Sequence, residues 1–339
     1  MKLYGGIDLH SNNNVVAIID EQDRVVYEER LRNDLPMVLE RLSPYRAELT
    51  ALAVESTYNW YWLVDGLMEA GYTVKLVNTA AVVIYEGLKY TSDEHDARHL
   101  AHLLRLGLLP EGYICPKELR AVRDLLRKRS QLVRQRTAQI LSIQNLWSRN
   151  TGASLSAYQI KMLDEAHLMQ VFGAGTERML AIQSNLTVLK CLQTQILALE
   201  KAVLDRVKLR PEYEKLLTVD GIGKILALTI MLETGEIGRF AKVGHYASYC
   251  RCVGSSRWSN AKKKGEGNAK NGNKYLAWAY GEAAHFAARY NERIRRFYQR
   301  KKAKANSILA LKATAHKLAR ACYYVMRDQV PFDVERAFA

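Results

Sequence analysis

Five cysteines in 339 residues, Cys115, Cys191, Cys250, Cys252 and Cys322, are odd in number and show no CxxC pair of the kind a structural zinc site uses. Only Cys250 and Cys252 stand close together, and one intervening residue is a poor metal spacing. A reducing compartment fits such a chain. No apolar run approaches the roughly 20 residues a membrane span needs. Gly5, Gly6 and Asp8 interrupt the N-terminal apolar pattern before it could act as a signal peptide. Low-complexity and solenoid repeats are missing as well. These absences predict a cytoplasmic globular protein with no membrane partner.

Negative charge is also scarce: 35 Asp and Glu face 50 Lys and Arg, a formal net charge of +15 with a pI near 9.5. Such a surplus favours a polyanionic partner, nucleic acid first, over an acidic small molecule. The acids are unevenly spread. Residues 1–110 hold 10 Lys or Arg against 16 Asp or Glu (−6), so residues 111–339 hold 40 against 19 (+21). An acidic first part suits a metal site, and a basic remainder suits neutralising phosphates and releasing their counterions. The length allows two or three domains, each with its own core.

Residues 3–9, 14–19 and 24–31 read as short strands separated by turn-forming residues 10–13 and 20–23, an antiparallel meander. A helix around 35–42, an apolar strand at 49–54, a helix at 59–70, a strand at 73–77 and a helix from 93 follow. This order, βββαβαβα, is that of the ribonuclease H fold and predicts an α/β domain over residues 1–110. Fold does not dictate function, which must come from the site.

Over residues 116–147, Leu119, Leu126, Val133, Ile140 and Trp147 recur every seven positions; over 185–208, Leu189, Leu192, Ile196, Leu199 and Val203 alternate steps of three and four. Such seams want partner helices. The pair can form within one chain or between chains, and spacing leaves both open. The first helix carries Arg120, Arg123, Arg127, Lys128, Arg129, Arg134 and Arg136 with only Glu118 and Asp124 among them. This is either a solvated face or a grip on a phosphate backbone through Arg120, Arg123, Arg127, Lys128 and Arg134.

Residues 211–339 read as mainly helical. Leu216-Leu217-Thr218-Val219-Asp220-Gly221-Ile222-Gly223-Lys224 leads into an apolar helix and matches the turn of a helix-hairpin-helix element, with Ala227 placed for close packing. Gly221, Gly223 and Lys224 are then phosphate contacts, because glycine lets backbone N–H groups approach; a plain turn is the alternative. Residues 254–274 read as a mobile loop with Gly254, Gly265, Gly267 and Gly272 and the phosphate-seeking Arg257, Lys262, Lys263, Lys264, Lys270 and Lys274. A basic run, Arg293, Arg295, Arg296, Arg300, Lys301, Lys302 and Lys304, lies within the last helices.

Four acids stand where packing gives no reason for them. Asp8 nears the end of the first strand, Glu55 ends the apolar strand of residues 51–54, and Asp93 and Asp96 lie three apart, on one face, at the start of a helix. Taken singly, each has an ordinary explanation as a strand end or a helix cap. Together they converge, and converging carboxylates suit Mg²⁺ or Mn²⁺ rather than zinc. Two such ions serve phosphoryl transfer by activating an attacking oxygen and stabilising a leaving one.

With these residues in place, the chain resembles the DEDD insertion-sequence transposases related to Piv invertases, the IS one-ten and IS eleven-eleven class. The matching segments are Gly6-Ile7-Asp8, Val54-Glu55-Ser56-Thr57, Asp93-Glu94-His95-Asp96-Ala97-Arg98, Gly221-Ile222-Gly223 and Tyr246-Ala247-Ser248-Tyr249, spread over nearly the whole chain. The resemblance implies a RuvC-like metal domain (1–110), a coiled-coil middle (111–210) and a C-terminal transposase domain (211–339) supplying a serine nucleophile. Counting forward from Tyr246 puts that serine at Ser259, with Ser255 and Ser256 close by and wording that departs from the family's usual Gly-Leu-x-Pro. It also implies a homo-oligomer, dimer or tetramer, working at the nucleoid of a prokaryotic cell with a structured non-coding guide RNA and donor and target DNA. The expected activity is cutting and rejoining of DNA through a serine-phosphate link, with Asp8, Glu55, Asp93 and Asp96 holding the metal. The rivals are a RuvC-like hydrolytic junction endonuclease and a non-catalytic nucleic-acid scaffold. A sugar-kinase-like phosphotransferase lacks its second phosphate-binding glycine motif here.

Overall fold

The computed structural model describes residues 1–82, 92–207, 209–254, 256–266 and 271–339, the side chains of residues 257, 258 and 266 excepted. The chain divides into two compact units, Met1–Lys117 with Ser255–Asn271, and Glu118–Gly254 with Gly272–Ala339. The three-part division expected from sequence therefore meets two compact units, with the middle helices and most of the C-terminal region in one of them.

The first unit is a mixed sheet with helices. Strands β1 (Leu3–Leu9), β2 (Asn13–Ile19), β3 (Val25–Arg32), β4 (Leu49–Glu55) and β5 (Val74–Val77) lie in the order β3-β2-β1-β4-β5. The first three form the antiparallel meander, while β4 pairs parallel with both β1 and β5. Parallel neighbours need a crossover, and helices α1 (Leu35–Leu42) and α2 (Tyr61–Glu69) supply it. Their apolar faces pack with Leu3, Ile7, Leu9, Val16, Ile18, Leu52 and Val54 in one core. Because β1 and β4 are central, their residues are buried on both faces, which explains near-continuous apolar runs interrupted only by the acids. Helix α3 (Asp93–Arg105) covers the other face, where Ala97 packs with Val15 and Ala17, and Leu100 with Ala53 and Val77.

The second unit is helical. Helices α4 (Lys117–Thr151) and α7 (Glu177–Arg206) run antiparallel, as their cross-links show: Arg129 Nε donates to Glu200 at 2.8 Å, Arg136 Nη1 to Gln193 at 2.6 Å and Asn185 Nδ2 to Ser142 at 3.3 Å. The alternative left open by the seven-residue spacing is thus decided in favour of a hairpin within one chain. Short helices α5 (Ala157–Met162) and α6 (Glu165–Phe172) close its far end, with Ile160, Leu163 and Leu168 packed against Ile143, Trp147, Met179 and Ile182.

Helices α8 (Pro211–Leu217), α9 (Lys224–Thr234) and α10 (Val243–Tyr249) precede α11 (Lys274–Tyr290), α12 (Glu292–Lys304), α13 (Ser307–Asp328) and α14 (Val334–Ala337). Residues 227–234 of α9 are all buried at the centre of this unit's core. Between α10 and α11, the segment expected to be a loop contains a hairpin, β6 (Ser256–Ser259) and β7 (Lys262–Glu266). Asn260 (φ 50°) and Ala261 (φ 56°) both take positive φ, as a two-residue hairpin turn requires. No helix among the described residues is long and apolar enough to cross a membrane.

Candidate active site

The parallel register Ile7↔Val54 places Asp8 and Glu55 side by side at the C-terminal ends of β1 and β4. Helix α3 brings the other two acids. A Cβ on Gly6 would stand 2.0 Å from the Ala97 carbonyl oxygen and 2.7 Å from the Ala101 nitrogen, so the helix backbone lies directly on β1 at that glycine. This close approach sets the first turn of α3, with Asp93 and Asp96, over Asp8. Ser92 caps the helix by accepting from the His95 N–H at 3.3 Å, and acids in a first turn suit the helix dipole. From β3, Arg30 donates to Asp93 at 2.7 Å and to Glu94 at 3.1 Å. Arg98 pairs with Glu28, so α3 is fixed to the same strand at a second point.

Charge and burial couple these acids to one another. Burial, then the hydrogen bond and charge of Asp8, then the charge of Asp96, push the Glu55 carboxyl up to about 8. Asp96 is raised by burial and by Asp8, whereas the Arg30 hydrogen bond holds Asp93 below the usual carboxylate range. Asp8 itself is 5% exposed, and its Oδ2 has no hydrogen-bond partner among the described residues. A proton retained on Glu55 and a buried oxygen without a hydrogen-bond partner are what a cation would relieve.

His10 is a member of this cluster that the sequence reasoning missed. Its Nε2 lies 3.2 Å from Asp8 Oδ2 and 3.2 Å from Asp93 Oδ2, within charge-pairing distance though not aligned as a hydrogen bond. Asn33 and Asn59 each donate to the His10 carbonyl at 3.0 Å, which fixes the loop that presents the ring. The signal was available in Asp8-Leu9-His10: positions two apart in an extended chain share a face. Ligand atoms of Asp8, His10 and Asp93 all lie within 4.8 Å of one another, a donor set that fits a divalent cation.

Ser259 stands at the end of β6, exposed, and pairs with Lys262 across the hairpin turn. The hairpin falls in the same compact unit as the four acids, and Asn271 at its base accepts from Asn78 at 3.0 Å. Among the described residues, no hydrogen bond joins Ser259 to the acids. Ser256 and Arg257 lie in β6, and Lys262, Lys263 and Lys264 are exposed on β7, whereas Ser255, Gly267 and Lys270 fall outside the described residues.

The expected phosphate contacts separate into two groups. Arg120 and Arg123 are buried, at 5% and 6% exposure, and so are not a surface for a phosphate backbone. Arg127 is committed to the buried Glu233 by two hydrogen bonds of 2.7 and 2.8 Å and lies over the Tyr275 ring. Lys128, Arg134, Lys224 and Lys274 are exposed. Gly221, with φ +84°, is required for packing, since a Cβ there would stand 2.3 Å from the Ala283 carbonyl oxygen of α11; Gly223 faces open space. In the Tyr246–Tyr249 segment, Tyr246 is a core residue whose hydroxyl bonds to Tyr280 at 2.7 Å and Thr234 at 3.0 Å. Burial pushes the thiols of Cys250 and Cys252 up.

Two family models match this chain. Residues 5–149 match the DEDD transposase model of the IS110 type, and residues 213–299 match the transposase model of the IS116/IS110/IS902 family. The chain is also 25% identical over 281 residues to a probable family 20 transposase of Pseudomonas aeruginosa, covering 77% of this chain and 79% of that protein. The first match contains Asp8, Glu55, Asp93 and Asp96, and the second contains the α8–α9 turn and the β6–β7 hairpin. With both segments in order on one chain, the protein carries two transposase domains of the IS110/IS116 type, which implies DNA transposition.

Proposed function

We propose that this transposase is a metal-dependent recombinase that cuts and rejoins donor and target DNA through Ser259. The first unit is read as a ribonuclease-H-like, RuvC-like domain on its strand order, β3-β2-β1-β4-β5. The observation that supports the reading best is the convergence of Glu55, Asp93 and Asp96 on Asp8, with Glu55 pushed up to about 8 and Asp8 Oδ2 without a hydrogen-bond partner among the described residues. Asp8, Glu55, Asp93 and Asp96 would hold Mg²⁺ or Mn²⁺, with His10 beside them. When bound, such an ion favours ionisation of an attacking oxygen and stabilises charge on a leaving one.

Ser259 Oγ attacks a DNA phosphorus, forming a phosphoserine ester as the bond to one sugar oxygen breaks and that oxygen leaves with a proton. Attack by the hydroxyl of another strand end reverses the step, releasing the serine and sealing the new joint. The exposed position of Ser259 on a short hairpin lets a strand reach it, and Lys262, Lys263 and Lys264 give the neighbouring β7 positive charge. Base reading is assigned to a structured guide RNA, which rests on the family resemblance and on a basic remainder of +21 suited to backbone contacts. Assembly as a dimer or tetramer at the nucleoid belongs to the same proposal.

The test is a cleavage reaction on DNA carrying the element's ends, resolved on denaturing gels. Ser259→Ala is expected to abolish protein-linked DNA, and Glu55→Gln to abolish cleavage altogether. That no hydrogen bond joins Ser259 to the acids among the described residues favours one rival, hydrolysis by water in the manner of a junction endonuclease. Free DNA ends in wild type and Ser259→Ala alike would establish that rival and remove the serine from the mechanism. RNA of one defined length copurifying with the protein is the expected sign of guidance.

A further inference from the structure

Helix α11 presents three adjoining strips along its length. Ala283 and Ala287 are buried against Gly221 of the α8–α9 turn. Asn291 Nδ2 ties the end of α11 to Asp220 of the same turn at 2.8 Å. One step around the helix, Phe286 and Tyr290 are 42% and 68% exposed, with rings parallel to within 3° and centroids 6.4 Å apart. On the next strip, His285 and Arg289 line a cavity of about 280 Å³ with Arg295, Tyr298 and Gln299. Arg295 donates to the Ala288 carbonyl at 3.2 Å, so α12 holds that wall in place. Within this unit, the aromatic pair and the basic cavity thus adjoin along α11, and the exposed Gly223-Lys224 segment follows directly on the Gly221 contact with the same helix.

Exposed apolar residues standing singly need no explanation, but two large rings one helical turn apart, parallel to within 3°, together offer exposed aromatic faces of one orientation. Two partners could cover them. A second copy of the chain would bring the same Lys224, Arg289 and Arg295 against themselves, a like-charge contact in a unit already strongly basic. Nucleic acid satisfies both features, because phosphates pair with the basic groups and bases stack on ring faces. Duplex bases are already stacked on one another, so their faces are closed to a side chain; unpaired bases are open. We propose that Phe286 and Tyr290 are a stacking platform for unpaired bases of a single-stranded or looped nucleic acid whose backbone runs along Lys224, Arg289 and Arg295. The inference deepens the nucleic-acid role proposed above and rests on it.

The test uses the full-length chain and fluorescence anisotropy with three probes: a short single strand, an abasic strand of the same length and a duplex. Wild type is expected to prefer the base-bearing strand to the abasic one. The Phe286→Ala/Tyr290→Ala double variant is expected to bind the single strand about tenfold or more weaker per ring lost. Its duplex and abasic affinities, and the slope of affinity against salt, stay at wild-type values because no phosphate contact is removed. Tyr290→Phe retains the platform and keeps wild-type binding, which separates lost stacking from misfolding. Unchanged single-strand affinity in the double variant, or equal losses on all three probes, would overturn the proposal. A dimer converted to monomer with single-strand binding intact would give the face to a second copy. Wild type binding none of the probes would sink the wider nucleic-acid role together with this one.

Discussion

The protonated state of Glu55 offers the sharpest test of the site. Burial and the neighbouring Asp8 and Asp96 push its carboxyl up to about 8, so at pH 7 roughly 0.9 of a proton is held that a bound cation must displace. Titration of Mg²⁺ or Mn²⁺ by calorimetry in two buffers of different ionisation enthalpy counts that proton directly. The expected release is close to one per binding event at pH 7, falling toward zero above pH 9. Affinity is expected to rise about tenfold per pH unit up to about 8 and then to level off, with the raised Asp96 steepening the lower end. The metal-free protein shows the same linkage in stability. A folded-state value above the ordinary 4.5 gives stability that is full below about 4.5 and is lost as pH rises through about 8, so melting temperature in chelator declines across that window. Binding without proton release, and with affinity flat from pH 6.5 to 9 (about the window in which this group titrates), would refute the claim that the acids converge.

The remaining predictions concern the frame around the acids. Gly6→Ala drives a methyl into the Ala97 carbonyl and is expected to cost about 3 kcal/mol in urea unfolding, with metal affinity lost because α3 is pushed off β1. Asp8→Asn is expected to raise the melting temperature of the metal-free protein, by relieving the like-charge repulsion between Asp8 and Asp96, and to abolish the further rise that Mn²⁺ gives wild type. Arg127→Ala leaves Glu233, with 2% of its side chain exposed, without its ionic partner and is expected to cost about 3 kcal/mol in the same unfolding assay, without altering metal binding.

Much of the first unit was legible in the sequence because its signals are local. Short apolar stretches between turn residues marked the meander, and apolar runs ended by single acids marked β1 and β4. Placing Asp8, Glu55, Asp93 and Asp96 together needed only strand order and a helix start. His10 escaped because histidine in a turn is ordinary until its neighbours across space are known. The hairpin around Ser259 escaped because glycine and lysine read as a loop, while the turn is formed by Asn260 and Ala261, and alanine gives no hint of positive φ.

The arginines of α4 show the limit most clearly. Spacing and charge describe Arg120, Arg123, Arg127, Lys128 and Arg134 alike, yet the first two are buried, the third is paired with Glu233 a hundred residues away, and the last two face solvent. Sequence alone determined the element types, the charge divided between an acidic first part and a basic remainder, and the four carboxylates, since these follow from residue chemistry and short-range periodicity. Tertiary structure decided which charges are available to a partner, that α4 and α7 pair within one chain, and that Gly6 and Gly221 are contact points between backbones. Those outcomes depend on what lies across space from a residue, which no short-range pattern records.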